Sequence, residues 1–197
     1  MAHHKYTTTG FIISSRNSGE SNKIFSIITR DFGMIQAGAR SVREVRSKLR
    51  LGLKLFALTE CSLIHGKNGW KIAGAREIYN IHEACLNDSD KISIVTHIFS
   101  LLGRLLTGEE KNESLFFLLD RSFKFLHGAN LSTSELKNFE CILVLALLAQ
   151  LGYVGDNPEL ALFIPQPEWS RELLLEMEKI RKIALLHINK SLESSQL

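Results

Sequence analysis

The sequence predicts an α+β chain: a five-stranded OB-fold β-barrel over residues 1–82, then an α-helical domain over residues 83–197. Three observations carry this expectation. β-Branched and aromatic residues cluster between Gly, Asn and Asp turns through residues 6–79. Beyond residue 90 the apolar residues recur with helical spacing. Charge divides the chain in the same way. Residues 1–82 carry 13 Lys and Arg against 5 Asp and Glu; residues 83–197 carry 11 against 16.

The strands follow in order. Residues 6–16, rich in Thr, Ile and Phe, end in the turn Asn17-Ser18-Gly19-Glu20. Residues 22–30 carry Ile24, Phe25, Ile27 and Ile28 and stop at Asp31-Phe32-Gly33. Residues 34–39 form a third strand. Residues 56–64 form a fourth, closed by the turn at 65–69, and residues 70–79 a fifth. Gly10, Gly38 and Gly74 fall inside strands, where glycine marks bulges or tight bends of the kind small barrels need. The OB-fold is the five-stranded barrel that binds oligonucleotides.

The helices come next. Ile92, Val95, Ile98, Phe99, Leu102, Leu105 and Leu106 make one stripe, and residues 115–126 repeat it. Ser132 and Glu135 have capping-box spacing, opening a helix that runs to Leu151 and stops at Gly152. A loop follows that holds Pro158, Pro165 and Pro167, all the prolines in the sequence. A last helix is expected over residues 168–189, with acids early and bases late to complement its dipole. The result is a bundle of four or five helices, joined to the barrel near residues 81–86.

Composition narrows the functional classes. An apolar fraction of 45% supports a packed core, and 3 Pro with 13 Gly exclude a low-complexity or collagen-like chain. Cys61, Cys85 and Cys141 are scattered, which fits reduced, buried thiols in a cytoplasmic protein. The first ten residues contain no apolar signal region. The longest apolar run, residues 141–149, falls well short of the ~20 residues of a membrane span. The motifs GxxxxGK[ST], GxGxxG, HExxH and GxSxG are absent, so no catalytic site is predicted. The seven His are dispersed, and His3-His4 is no metal site.

The segment from Arg40 to Lys54 is the most informative. It holds Arg40, Arg43, Arg46, Lys48, Arg50 and Lys54 with one acid, Glu44. The planar Arg fork suits phosphate oxygens, and spaced cations suit a charged polymer better than one small anion. These six, with Lys23 and Arg30, are the candidate phosphate contacts. Phe32 and Trp70 lie beside turns and are the candidate base-stacking rings. An RNA-binding module and a protein–protein adaptor gripping an acidic partner remain as alternatives.

The order of several short motifs resembles the RecO family of recombination mediators. Thr9-Gly10-Phe11-Ile12-Ile13, then Gly19-Glu20, Lys23-Ile24, Thr29 and Gly33, resemble that family's opening. Gly38-Ala39-Arg40, Ser47, Leu49, Leu53 and Phe56 continue it. Leu151-Gly152-Tyr153 with Pro158 and Leu160, and then residues 187–195, are similar to its later segments. The resemblance implies binding of single- and double-stranded DNA and annealing of complementary strands. It implies loading of RecA with a RecR partner, and docking of the tail of the single-stranded DNA-binding protein on the helical domain. Many relatives carry a four-cysteine zinc site after the Gly-Tyr segment. Residues 157–165 contain no Cys here, so no zinc and no other cofactor is expected. Leu55 stands where relatives often have Pro, and the chain is short for the family.

Overall fold

A computed structural model describes residues 4–155 and 157–194 of the chain. His3 and the last residue of the 187–195 segment lie outside the described residues. Two compact units emerge. One comprises the residues up to Asn87 together with Leu106–Phe116, and the other Asp88–Leu105 with the residues from Phe117 onward.

The first unit is the OB-fold barrel. Its strands are β1 (Lys5–Ser18), β2 (Asn22–Thr29), β3 (Gly33–Ala39), β4 (Ala57–Gly66) and β5 (Gly69–Asn80). They pair in the closed order β1-β2-β3-β5-β4, with β4 returning to β1. All pairings are antiparallel except β3 with β5, where Ala37 faces Trp70 and Gly38 faces Lys71. That short parallel contact closes the barrel and leaves no free edge. Two one-turn helices, α1 (Leu49–Gly52) and α2 (Ile81–Ala84), belong to this unit.

Inward residues alternate along the strands, as period 2 requires. Ile12, Phe25, Ile27, Ile35, Ala37, Cys61, Leu63, Trp70 and Ile72 form the barrel core. Each large apolar side chain fully withdrawn from water contributes about 1.5–3 kcal/mol. Gly10 and Gly74 differ in what they do. Gly10 is no bulge; a Cβ there would lie 2.6 Å from Ile27 Cγ2, so glycine permits close packing of the wall. The register of β1 slips instead between Ile12 and Ser14. Gly74 does sit beside a bulge, where β4 passes from Ser62 to Leu63 while β5 passes from Gly74 to Ile72.

The β2–β3 turn is fixed by side chains. Thr29 Oγ1 donates to Gly33 O at 2.8 Å and accepts from the Phe32 N–H at 3.0 Å. Thr8 Oγ1 donates to Asp31 Oδ2 at 2.6 Å, joining β1 to the turn, and Arg30 pairs with the same carboxylate. Gly33 has φ 66°, and a Cβ there would run into the Glu110 backbone.

The second unit holds α3 (Ser89–Leu105), most of α4 (Glu113–Gly128), α5 (Thr133–Gln150) and α6 (Arg171–Ser194). The Ser132–Glu135 capping box is present, with Ser132 N–H donating to Glu135 Oε2 at 2.7 Å. At the other end of α5, Gly152 N–H reaches Ala149 O and Tyr153 N–H reaches Leu148 O, with Gly152 at φ 79°. This is a Schellman stop. Buried residues cover nearly every face of α5, which packs on α3 and α6. Asn138, 1% exposed, ties α5 to α6 by donating to Leu174 O and accepting from Arg181. The last helix starts at Arg171, not at residue 168. Ser170 Oγ caps it by accepting from Leu173 N–H, and the Trp169 indole is turned away to donate to Ser122 Oγ. Among the described residues no helix is long and apolar enough to cross a membrane.

Burial pushes the Asp31 carboxyl up, but the Thr8 hydroxyl, the Arg30 hydrogen bond and the Arg30 and Lys111 charges outweigh it, so its pKa is lowered. A depressed carboxylate stabilises the fold above its unfolded pKa and loses that contribution as pH falls through the folded value. Asp31→Asn should therefore lower stability by about 1 kcal/mol at neutral pH. Urea unfolding at pH 7 and at acid pH checks this: the gap to the parent should narrow as pH falls below the ordinary Asp pKa of about 3.9. A gap constant with pH would show that the Asp31 charge does not stabilise the turn.

Candidate nucleic-acid interface

The path of residues 40–54 across the barrel is set by its anchors, not by its charges. Ser41 N–H donates to Asn22 Oδ1 at 2.9 Å and Arg43 N–H to Ser21 O at 3.0 Å, tying the start to the β1–β2 turn. Three chained turns follow, with the N–H groups of Glu44, Ser47 and Arg50 on the carbonyls of Ser41, Glu44 and Ser47. α1 then lies on β5. Gly52 makes the closest approach: a Cβ there would run into the Ala75 backbone, and Thr59 Oγ1 donates to its carbonyl at 2.9 Å. Val42 and Leu53, 5% and 7% exposed, belong to the barrel core, with Leu49 packed against it.

These anchors leave Arg40, Arg43, Arg46, Lys48 and Arg50 exposed. Among the described residues none of the five forms an ion pair; Arg43 only reaches the Gly19 carbonyl, at 3.4 Å. Beside them lies a shallow groove of about 340 Å³. Lys23, Arg40 and Lys71 line it together with Asn22, Gln36 and Asn68. The register places Arg16 opposite Ile24, Ile24 opposite Gly38 and Gly38 opposite Lys71, so one rank of residues crosses four strands with a cation at each end. Lys71 and Arg16 are thus part of the surface. Alternation along β5, where Trp70 and Ile72 are buried and Lys71 exposed, is the signal that marks Lys71.

Four of the sequence candidates stand differently. Lys54 is committed to Glu83 at 2.9 Å and Glu77 at 3.4 Å, and those two carboxylates hold its pKa up. Arg30 is paired with Asp31 at 3.2 Å. Both cations are locally neutralised. Trp70 is only 7% exposed, with Tyr6, Phe32 and His65 rings at 5.5, 4.9 and 4.6 Å. It is a core ring, not a free platform. Phe32 is half-buried in the same cluster.

Burial pushes the Cys61 thiol up to about 12 and the Cys141 thiol up to about 11. Among the described residues no group of three or more His, Cys, Asp or Glu side chains gathers to hold a metal ion.

The helical unit has a groove of its own, of about 470 Å³. Leu101, Cys141, Val144, Leu185 and Ile188 supply its apolar lining. Arg104, Lys137 and Arg181 lie along it, and His97 Nδ1 is 2.6 Å from Glu140 Oε1.

A basic OB barrel followed by this bundle has a counterpart among known proteins. Residues 1–89 match the model of the recombination protein O N terminal, and residues 86–156 that of its C terminal. The chain belongs to the recombination protein O (RecO) family. The DNA repair protein RecO of Dehalococcoides mccartyi (strain CBDB1) is 32% identical over 161 residues, covering 80% of this chain and 60% of that protein. That of Alkaliphilus metalliredigens is 29% identical over 156 residues, covering 78% and 59%. That of Caldanaerobacter subterraneus subsp. tengcongensis is 26% identical over 147 residues, covering 75% and 58%. The chain spans about 60% of the length of these three relatives.

Trp70 is the test of the corrected ring assignment. Trp70→Ala should cost about 3–5 kcal/mol of stability, the range for emptying a large core site. Urea unfolding would show the extrapolated unfolding free energy fall by that amount, with a lower midpoint. An unchanged midpoint would return Trp70 to the surface.

Proposed function

We propose that this RecO chain is a non-enzymatic DNA-binding mediator that holds single- and double-stranded DNA without reading its sequence. The observation that carries the reading is the set of five exposed, unpaired cations on residues 40–50, continued by Lys23 and Lys71 in the adjoining groove. Cations without facing carboxylates attract phosphates and release their condensed counterions, which favours binding at any sequence. Neutralising two strands on one surface reduces their mutual repulsion, and annealing follows. With a RecR-type partner, the same hold on the strand would serve RecA loading onto single strands coated by the single-stranded DNA-binding protein. The place of action is the cytoplasm, at the nucleoid. The reading invokes no zinc, because residues 157–165 contain no Cys.

The groove of the helical unit is the proposed dock for the coating protein's tail. Its apolar lining suits a terminal apolar side chain, and Arg104 and Lys137 suit acidic residues.

Reversing Arg43→Glu and Arg46→Glu together should weaken binding of a labelled mixed-sequence single strand by on the order of tenfold or more, alike for every sequence. The slope of log affinity against log salt should flatten by at least about 1.4, since each single-strand phosphate contact contributes about 0.7. Fluorescence anisotropy at several salt concentrations reads both; unchanged affinity at low salt would exclude this segment. For the second groove, Arg104→Glu with Lys137→Glu should abolish binding of a peptide of the coating protein's C-terminal residues while DNA affinity stays within about twofold. Retained peptide binding would place the dock elsewhere.

A further inference from the structure

The cation segment also exposes apolar side chains. Val45 is 89% exposed and Leu51 73%. Each stands among arginines: Val45 between Arg43 and Arg46, Leu51 next to Arg50. The turn from Glu44 to Ser47, closed by the Ser47 N–H on Glu44 O at 3.0 Å, places Val45 at its corner. Leu51 sits on α1 beside Leu49 and Gly52, the two residues of that helix that turn to the barrel. The barrel thus takes Val42, Leu49 and Leu53 and leaves Val45 and Leu51 in water. Neither gains any stability from folding in that position.

We propose that Val45 and Leu51 are the contacts by which this segment distinguishes a single strand from a duplex. The occupant is single-stranded DNA, chosen by charge complementarity: the surrounding cations draw a polyanion, and phosphates on them bring the rest of each nucleotide onto the same surface. In a single strand the base faces and sugars are open to apolar contact. In a duplex the bases are stacked inside and present mainly their phosphates to a surface loop. Val45 and Leu51 therefore add affinity for single strands alone, and they add it without counterion release. The inference rests on the DNA-binding reading of the segment and separates within it the charged contribution from the apolar one.

The two contributions have different salt signatures. Val45→Ser with Leu51→Ser should lower affinity for a mixed-sequence single strand about five- to thirtyfold, from the apolar area no longer covered. The salt slope should stay unchanged, and affinity for a duplex of the same length should change less than about twofold. Conversely, Val45→Phe should tighten single-strand binding, because an aromatic ring stacks on bases. Both side chains are in solvent, so the fold is not at stake, and equal urea midpoints confirm that. An unchanged single-strand affinity, an equal loss on both DNA forms, or an altered salt slope would each overturn the inference. Loss of binding in the Arg43→Glu, Arg46→Glu protein with none in the Ser variant would remove this inference alone. No loss in either would remove the DNA-binding reading of the segment.

Discussion

Five free cations within eleven residues repel one another, and their repulsion would scatter an unanchored loop. What holds them on one surface is apolar burial. Val42 and Leu53 enter the barrel core from the two ends of the segment, Leu49 packs between them, and Gly52 rests against β5. Two such side chains contribute a few kcal/mol. Like charges in water at these separations oppose by about 1 kcal/mol or less per pair, reduced further by salt. The anchors fix the path of the segment while its charges stay in solvent, where water and salt screen them. The barrel's parallel β3–β5 closure matters for the same reason, because it brings Lys71 beside the strand from which the segment departs.

Much of this was legible in the sequence. Strand positions followed from residue type and turns, and the α5 cap and stop from Ser132, Glu135 and Gly152. The OB-fold came from strand count and from the resemblance, and the strand order from the structure alone. Elsewhere the sequence misled, for physical reasons. Lys54 meets its carboxylates 23 and 29 residues away, on β5 and α2, which no local pattern reveals. Trp70 was read by its nearness to a turn, whereas its strand parity with Ile72 sends it into the core. A strand glycine signals a bulge or a tight bend, but the register slips at Ile12–Ser14 instead, and Gly10 accommodates Ile27 across the wall. The start of α6 was read from its first acid, yet Ser170 caps it and Trp169 is engaged elsewhere.

The two grooves use one chemical idea in different proportions. On the barrel, Lys23, Arg40 and Lys71 share the lining with polar Ser18, Asn22, Gln36 and Asn68 and with apolar Ile24, Ala39 and Trp70. On the helical unit the lining is mostly apolar, with cations beside it. The first suits a repeating polyanion, the second a short chain end. Burial raises the pKa of the Cys61 thiol in the barrel and of the Cys141 thiol at the helical groove.

Gly52 gives this arrangement an unequal tolerance. Each cation is one increment among several like ones, so losing any single charge weakens the surface by degrees. Gly52 has no such redundancy. One methyl group there meets the backbone of Ala75, and backbone cannot step aside as a side chain can. The placement of five charges thus turns on a position that carries no side chain at all, and a survey of charge alone would pass it over.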